Sequence, residues 1–264
     1  MTAPSVFTRP ARPDRPNEDA AATAPGIGVV VDGAGLPKDQ RLGCHHSVDW
    51  YAQQLATTYR DALAHREGSM REALAESIES VARSHPECRL EEGSPSATVA
   101  AWRIDGDQLE ILVLCDASIL LVWHDGQVTE LCDDRLGALA DAAEAGLTDH
   151  GQIMRARRQL MEATRNQPGG WWCCHHDPAA AAQALVQRHS RHELRGVIAA
   201  SDGVTRHHQL LGGGLVELGC WILDGRADLA HAAVREAEGR AAEQLAARAQ
   251  KPHDDFTVAW QPLP

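Results

Sequence analysis

The sequence predicts an α+β domain, and three observations carry that expectation. Four short runs of β type follow one another between residues 97 and 131. Two stretches with helical spacing precede them. Helices and isolated strands then come in blocks, without the strict alternation of a doubly wound parallel sheet. No repeat and no linker divides the 264 residues. A single domain over residues 1–264 is therefore expected, with residues 1–16 as an extended N-terminal segment.

Each element has a local reason. Residues 1–25 are rich in Pro, Arg and Ala and read as extended. Residues 27–31 are an apolar run ending in Asp32-Gly33-Ala34-Gly35, a buried strand that enters a turn. Residues 36–45 read as loop. Tyr51, Leu55, Tyr59 and Leu63 then recur every four residues, which predicts a helix over 47–66. Ser69 and Glu72 match a capping box that opens a second helix, striped by Met70, Leu74, Ser77, Ile78 and Val81 and ended by Pro86. Residues 97–104, 108–115, 118–123 and 127–131 are the β runs. Asp105-Gly106 and Asp125-Gly126 mark two hairpin turns, and the four runs read as one antiparallel meander. Unbroken apolar stretches at 111–115 and 119–123 indicate strands covered on both faces. Residues 136–166 read as helices broken near 148–151. Asp177-Pro178 offers an N-cap and a proline at N1 for a helix reaching about residue 189. A strand over 196–201 ends in Asp202-Gly203, an Ala-rich helix spans 228–249, and residues 256–260 form the last strand.

Composition narrows the function. Hydrophobic residues make up 44% and the formal charge is −12, with no long basic run, so a nucleic-acid partner is excluded. No apolar stretch reaches the roughly 18 residues of a membrane span, and no apolar core of an export leader opens the chain. The seven cysteines are odd in number and contain no C-x-x-C. A reducing, cytoplasmic location is expected. Cys173-Cys174-His175-His176 invites a zinc reading. In a strand, however, only alternate residues share a face. Two more ligands would be needed, from Cys44, His45 or His46. Buried strand cysteines and surface histidines are the favoured reading.

Acidic residues gather at strand ends: Asn17-Glu18-Asp19, Asp32-Gly33, Asp116, Asp202-Gly203 and Asp254-Asp255. A lone Asp-Gly is ordinary turn chemistry. The ordered set fits hard divalent cations, which favour carboxylate oxygens.

The order N-E-D, V-V-D-G-A-G, S-A-T-V, L-C-D-A-S, A-A-S-D-G-V, D-D-F-T-V-A resembles the PPM-type metal-dependent protein phosphatases (protein phosphatase type-2C), and in particular a compact actinobacterial branch. The likeness runs from Asn17 to Trp260. It implies a four-layer α-β-β-α sandwich, two antiparallel sheets flanked by helices. It implies two Mn²⁺ or Mg²⁺ ions, with a possible third, and a bridging hydroxide that attacks a phosphoserine or phosphothreonine ester. Carried over by position, Asp19, Asp32, Asp202 and Asp254 are the core metal carboxylates and the catalytic set. Gly33 gives its carbonyl, Glu18 supports metal-bound water, and Asp116 serves a third ion.

The departures are specific. The family's phosphate-gripping Arg falls at Asp14, so its neighbours Arg12 and Arg15 become the substrate-binding candidates. Leu36 stands for the second Gly of D-G-x-G-G, and Cys115-Asp116-Ala117-Ser118 keeps only the Asp of G-D-S-R. Asp255 adds a carboxylate beside Asp254. His253, His207 and His208 are candidate general acids, with surface placement the commoner alternative. Two other functions therefore stand beside a protein phosphatase: a phosphatase for a small phosphorylated metabolite, and a metal-binding pseudophosphatase. Nothing in the sequence sets an oligomeric state.

Overall fold

The computed structural model describes residues 2–35, 43–65 and 68–264. Most of the loop expected over 36–45, with Leu36, lies outside them. Strands β1 (Ser5–Arg9), β10 (Phe256–Pro262), β9 (Leu194–Ala200), β6 (Ser118–Trp123) and β7 (Val128–Cys132) form one antiparallel sheet in that order. Strands β2 (Asp19–Ala24), β3 (Ile27–Ala34), β4 (Ser96–Asp105), β5 (Gln108–Leu114) and β8 (Leu185–Ser190) form the other. Helices α1 (Val48–His65) and α2 (Met70–Arg83) cover the second sheet. Helices α5 (Asp202–Gln209), α6 (Leu215–Leu223) and α7 (Ala227–Arg240) cover the first. Helices α3 (Arg135–Glu144) and α4 (His150–Thr164) pack on each other, and the short α8 (Ala242–Ala247) follows α7. The result is the expected four-layer sandwich.

Strand periodicity builds the layers. Val29 and Val31 point to α1 and α2, while Val30 points between the sheets. Leu120 and Val122 face the α6–α7 side, while Ile119 and Leu121 face inward. The central layer joins Val30, Trp102, Ile111, Ile119, Val197 and Ala259. Every apolar residue of these runs thus has a partner layer, which is why the runs show no polar alternation. The capping box is present: Ser69 Oγ accepts from the Glu72 N–H, and the Glu72 carboxylate accepts from the Ser69 N–H.

Three expectations need correction. The four β runs are not one meander: β4 and β5 form a hairpin in one sheet, β6 and β7 in the other. The chain changes sheets at Cys115-Asp116-Ala117, where Cys115 adopts a left-handed φ of 65°. A β-carbon in that conformation costs roughly 1–2 kcal/mol, and the resembled motif has Gly there. Asp177-Pro178 opens only a 3₁₀ turn (Pro178–Gln183), after which β8 pairs with the free edge of β5. That pairing supplies backbone partners that the local helix signal could not foresee. The N-terminal segment is extended but not unpaired, because β1 adds to β10 and places Thr8 Oγ1 2.7 Å from Thr257 Oγ1. Asp19 accordingly opens the second strand rather than preceding the first. Helices α5 and α6 had no assignment in the sequence, since their apolar stripes are too short to show a period.

Candidate active site

The acids meet at one end of the sandwich. Asp19 opens β2 and Asp32 lies opposite it near the end of β3. Asp202 starts α5 directly after β9, Asp116 sits in the turn between sheets, and Asp254 precedes β10. The two sheets touch here: the Asp202 N–H donates to Asp32 Oδ2 at 3.3 Å. Gly33 and Gly203 make the approach possible. A β-carbon on Gly33 would lie 2.3 Å from the Glu18 carbonyl oxygen, and one on Gly203 1.8 Å from that of Asp255. No side chain fits either place.

The flanking motif residues hold this geometry. Asn17 accepts from the Asp19 N–H at 2.9 Å and donates to Thr8 Oγ1 at 2.6 Å. Asp255 accepts from the N–H of Ala11 at 2.6 Å and of Glu18 at 2.7 Å. The extra carboxylate therefore ties the 11–18 loop to β10. Thr98, opposite Asp32 on β4, has a buried hydroxyl without a partner. It belongs to the S-A-T-V motif, yet sequence reasoning gave it no role.

The electrostatics ask for cations. Burial first, then Asp255 and Asp202, hold Asp19 above the ordinary carboxylate range. Burial and the neighbouring acids raise Asp32, Asp116 and Asp202 likewise. Asp19 Oδ2 is buried with no hydrogen-bond partner. A carboxylate set in which Asp19 is buried and Asp32, Asp116, Asp202 and Asp254 are half-buried, with one orphaned oxygen, fits Mg²⁺ or Mn²⁺. One cation is built in. Lys251 Nζ donates to Asp254 Oδ1 at 2.8 Å. Burial opposes its charge, but Asp254 and Asp202 outweigh that and raise the Lys251 pKa. No local pattern marks this lysine, because its meaning depends on partners set by the fold.

A cleft of about 330 Å³ opens beside Asp254, lined among others by Arg12, Arg15, Glu18, Lys251 and Asp255. Arg12 is fixed on Asp14 by two hydrogen bonds of 3.0 and 2.7 Å. No described residue accepts a hydrogen bond from the Arg15 guanidinium. The histidines divide. His253 lines the cleft and sets Nδ1 2.7 Å from Glu238 Oε2. His208 Nε2 instead meets Glu130 Oε2 at 2.9 Å, in a cluster with Ser118 and Gln209. Trp102, Trp171 and Trp260 are buried, whereas Trp50, Trp123, Trp172 and Trp221 are half-buried.

The family model for protein phosphatase 2C matches residues 9–217. The chain belongs to the protein phosphatase 2C family. The match includes Asp19, Asp32, Asp116 and Asp202 and stops short of Asp254. Among solved structures, the chain is similar to the serine/threonine phosphatase Stp1 from Staphylococcus aureus, with a TM-score of 0.63 at 10% identity, covering 100% of this chain and 96% of that one. It is similar to the PPM Ser-Thr phosphatase MsPP from Mycobacterium smegmatis in complex with cacodylate (0.55, 16%, covering 99% and 98%). It is also similar to the catalytic domain of the serine threonine protein phosphatase PstP in complex with two manganese ions (0.56, 14%, covering 97% and 96%). At these identities the likeness is one of fold. No curated protein sequence matches the chain. Among the described residues, no helix is long and apolar enough to cross a membrane.

Proposed function

We propose that this type-2C family chain hydrolyses phosphomonoesters, with phosphoserine and phosphothreonine in proteins as its substrates. The observation that carries the proposal is the convergence of Asp19 and Asp32 from one sheet with Asp202 and Asp254 from the other. In this reading those four hold Mn²⁺ or Mg²⁺, with the Gly33 carbonyl, Glu18 and Asp116 as further oxygen donors. The two manganese ions named for the PstP catalytic domain support it. When bound, such ions supply a water of lowered pKa and a clamp on phosphoryl oxygens.

The chain's own residues do the rest. Asp255 fixes the 11–18 loop, which brings Arg15 to the cleft beside Asp254. A planar guanidinium there binds two phosphate oxygens at once. Arg12 is already held by Asp14. Lys251, exposed at the cleft rim, adds a positive charge beside Asp254.

The test is hydrolysis of p-nitrophenyl phosphate and of phosphopeptides with Mn²⁺, with EDTA, and in Asp202→Asn. Activity is expected only with metal and is expected to fall at least a hundredfold in the variant. Full activity in EDTA overturns the metal role. Arg15→Ala is expected to raise KM about tenfold or more, the loss of a charge-assisted contact, while Arg12→Ala leaves it near the parent value. Preference for a small phosphorylated metabolite over every phosphopeptide overturns the protein substrate. Metal binding with no turnover on either class marks a pseudophosphatase.

A further inference from the structure

A second group of ligating side chains lies at the open end of the α1–α2 hairpin. Cys44 and His46 come just before α1, and His85 and Cys88 just after α2. Their ligand atoms all lie within 4.8 Å of one another. Cys44 Sγ is 3.3 Å from His85 Nδ1 and 3.6 Å from His46 Nδ1. Cys88 Sγ is 3.6 Å from His46 Nδ1. A tetrahedral zinc ion with Zn–S of about 2.3 Å and Zn–N of about 2.0 Å holds sulfur and nitrogen about 3.5 Å apart. We propose that Cys44, His46, His85 and Cys88 form a structural zinc site of Cys₂His₂ type, separate from the carboxylates.

The surroundings support a closed site. Cys44 and His85 are buried, at 3% and 4% exposure, while His46 and Cys88 are half-buried. His46 stacks on Trp50 with ring centroids 4.1 Å apart, and Trp50 also meets His85 edge-on at 4.6 Å. The His85 Nε2 atom is buried without a hydrogen-bond partner, so the ring is oriented from its Nδ1 side. A thiol–imidazole hydrogen bond accounts for one pair. It gives no reason for two sulfurs and two rings to converge on one point. His45, exposed, sets Nδ1 3.4 Å from Cys88 Sγ and is a spare donor at the rim.

The site has a structural use. The Arg89 N–H donates to the Gly43 carbonyl at 2.7 Å, so the two ligand segments already touch. Val48, the first residue of α1, lies against Gly33, beside Asp32. Zinc here fastens α1 and α2 at their open end and steadies the strand exit that carries Asp32. The Cys173–His176 segment is not part of it: Cys173 and Cys174 are buried, and the Cys174 backbone pairs with Ala97.

The test uses the full chain, purified under reducing conditions and dialysed against EDTA and then zinc. One zinc per chain is expected by plasma mass spectrometry, beyond any metal removable from Asp202→Asn. X-ray absorption is expected to give two sulfurs and two nitrogens around it. Cobalt(II) in place of zinc is expected to show thiolate charge-transfer bands in the parent chain and in Asp202→Asn. Cys44→Ser and His85→Ala are expected to lose the bands and the zinc. A parent chain that binds no zinc, gives cobalt without sulfur bands, or carries a Cys44–Cys88 disulfide by peptide mapping overturns the proposal. These readouts come from the parent chain, so misfolding of a variant leaves the test intact.

Discussion

At Asp254, any divalent cation must share its carboxylate with the Lys251 ammonium, 2.8 Å away. That fixed charge opposes metal and attracts phosphate. Lys251→Met is therefore expected to tighten Mn²⁺ binding about three- to tenfold, the order of a partly exposed charge contact, and to raise KM for a phosphoester. Calorimetry and steady-state kinetics read the two effects separately; weaker Mn²⁺ binding in the variant removes Lys251 from this role. At this scale the sequence was unevenly legible. Asp19, Asp32, Asp202 and Asp254 stood out because each lies at the end of an apolar strand, and Gly33 and Gly203 mark where backbones nearly touch. Lys251 did not stand out, since a lone lysine in a polar loop has no pattern. His85 and Cys88 were missed for a related reason. Their partners Cys44 and His46 lie about forty positions away, across two helices, and the more conspicuous Cys173–His176 run drew attention to buried strand residues.

The segment from Lys251 to Asp255 is the element that presents Asp254, and it has little regular structure of its own. Its position comes from an ionic knot on α5 and α7. Arg206 donates to the Lys251 carbonyl at 2.8 Å, and Arg235 to the Asp254 carbonyl at 2.6 Å. Glu238, with no side-chain exposure, faces Arg206 at 3.0 Å, Arg235 at 2.6 Å and His253 at 2.7 Å. Replacing one member of a buried ion pair leaves the others uncompensated, at about 3–5 kcal/mol. Glu238→Gln is accordingly expected to destabilise the chain by about that amount and to weaken Mn²⁺ binding through Asp254. Urea unfolding and metal titration check it, and a variant with parental stability removes Glu238 from the support of this loop. Such a knot explains why the elements around it were hard to read. In α5 the buried face includes Arg206 and His207, so polar letters occupy core positions and the apolar stripe disappears. Strand β8 was hidden differently, since its neighbour across the sheet edge supplies the reason for its conformation.

Across the whole molecule, the acid end is where the two sheets meet without an apolar seal. Asp19 and Asp32 belong to one sheet, while Asp202 and Asp254 flank strands of the other. Inside the sandwich, Val30, Ile119 and Val197 close the gap by burial. At the end, burial and mutual repulsion oppose the charged forms of Asp19, Asp32 and Asp202. The global fold was legible because the inner strands β3, β5, β6 and β9 are apolar on both faces, a pattern that a covered sheet explains. The sheet exchange at Cys115–Ala117 was not, because a hairpin series and a crossing between stacked sheets share the same local pattern. The assembly has a measurable consequence. In the proposed reading, cations held by acids from both sheets would bind the folded sandwich and not the unfolded chain. At a hundredfold excess over Kd, one such site stabilises the fold by about 2.7 kcal/mol, which for a chain of this size raises Tm by roughly 5–10 °C. Saturating Mn²⁺ is therefore expected to give that shift in zinc-loaded parent chain, and Asp202→Asn to lose most of it. Asp134→Asn, on the polar approach to α3 and outside the acid cluster, serves as the charge control and is expected to keep the shift. An equal shift in Asp202→Asn would place the responding metal elsewhere and break the link between the two sheets and the metal.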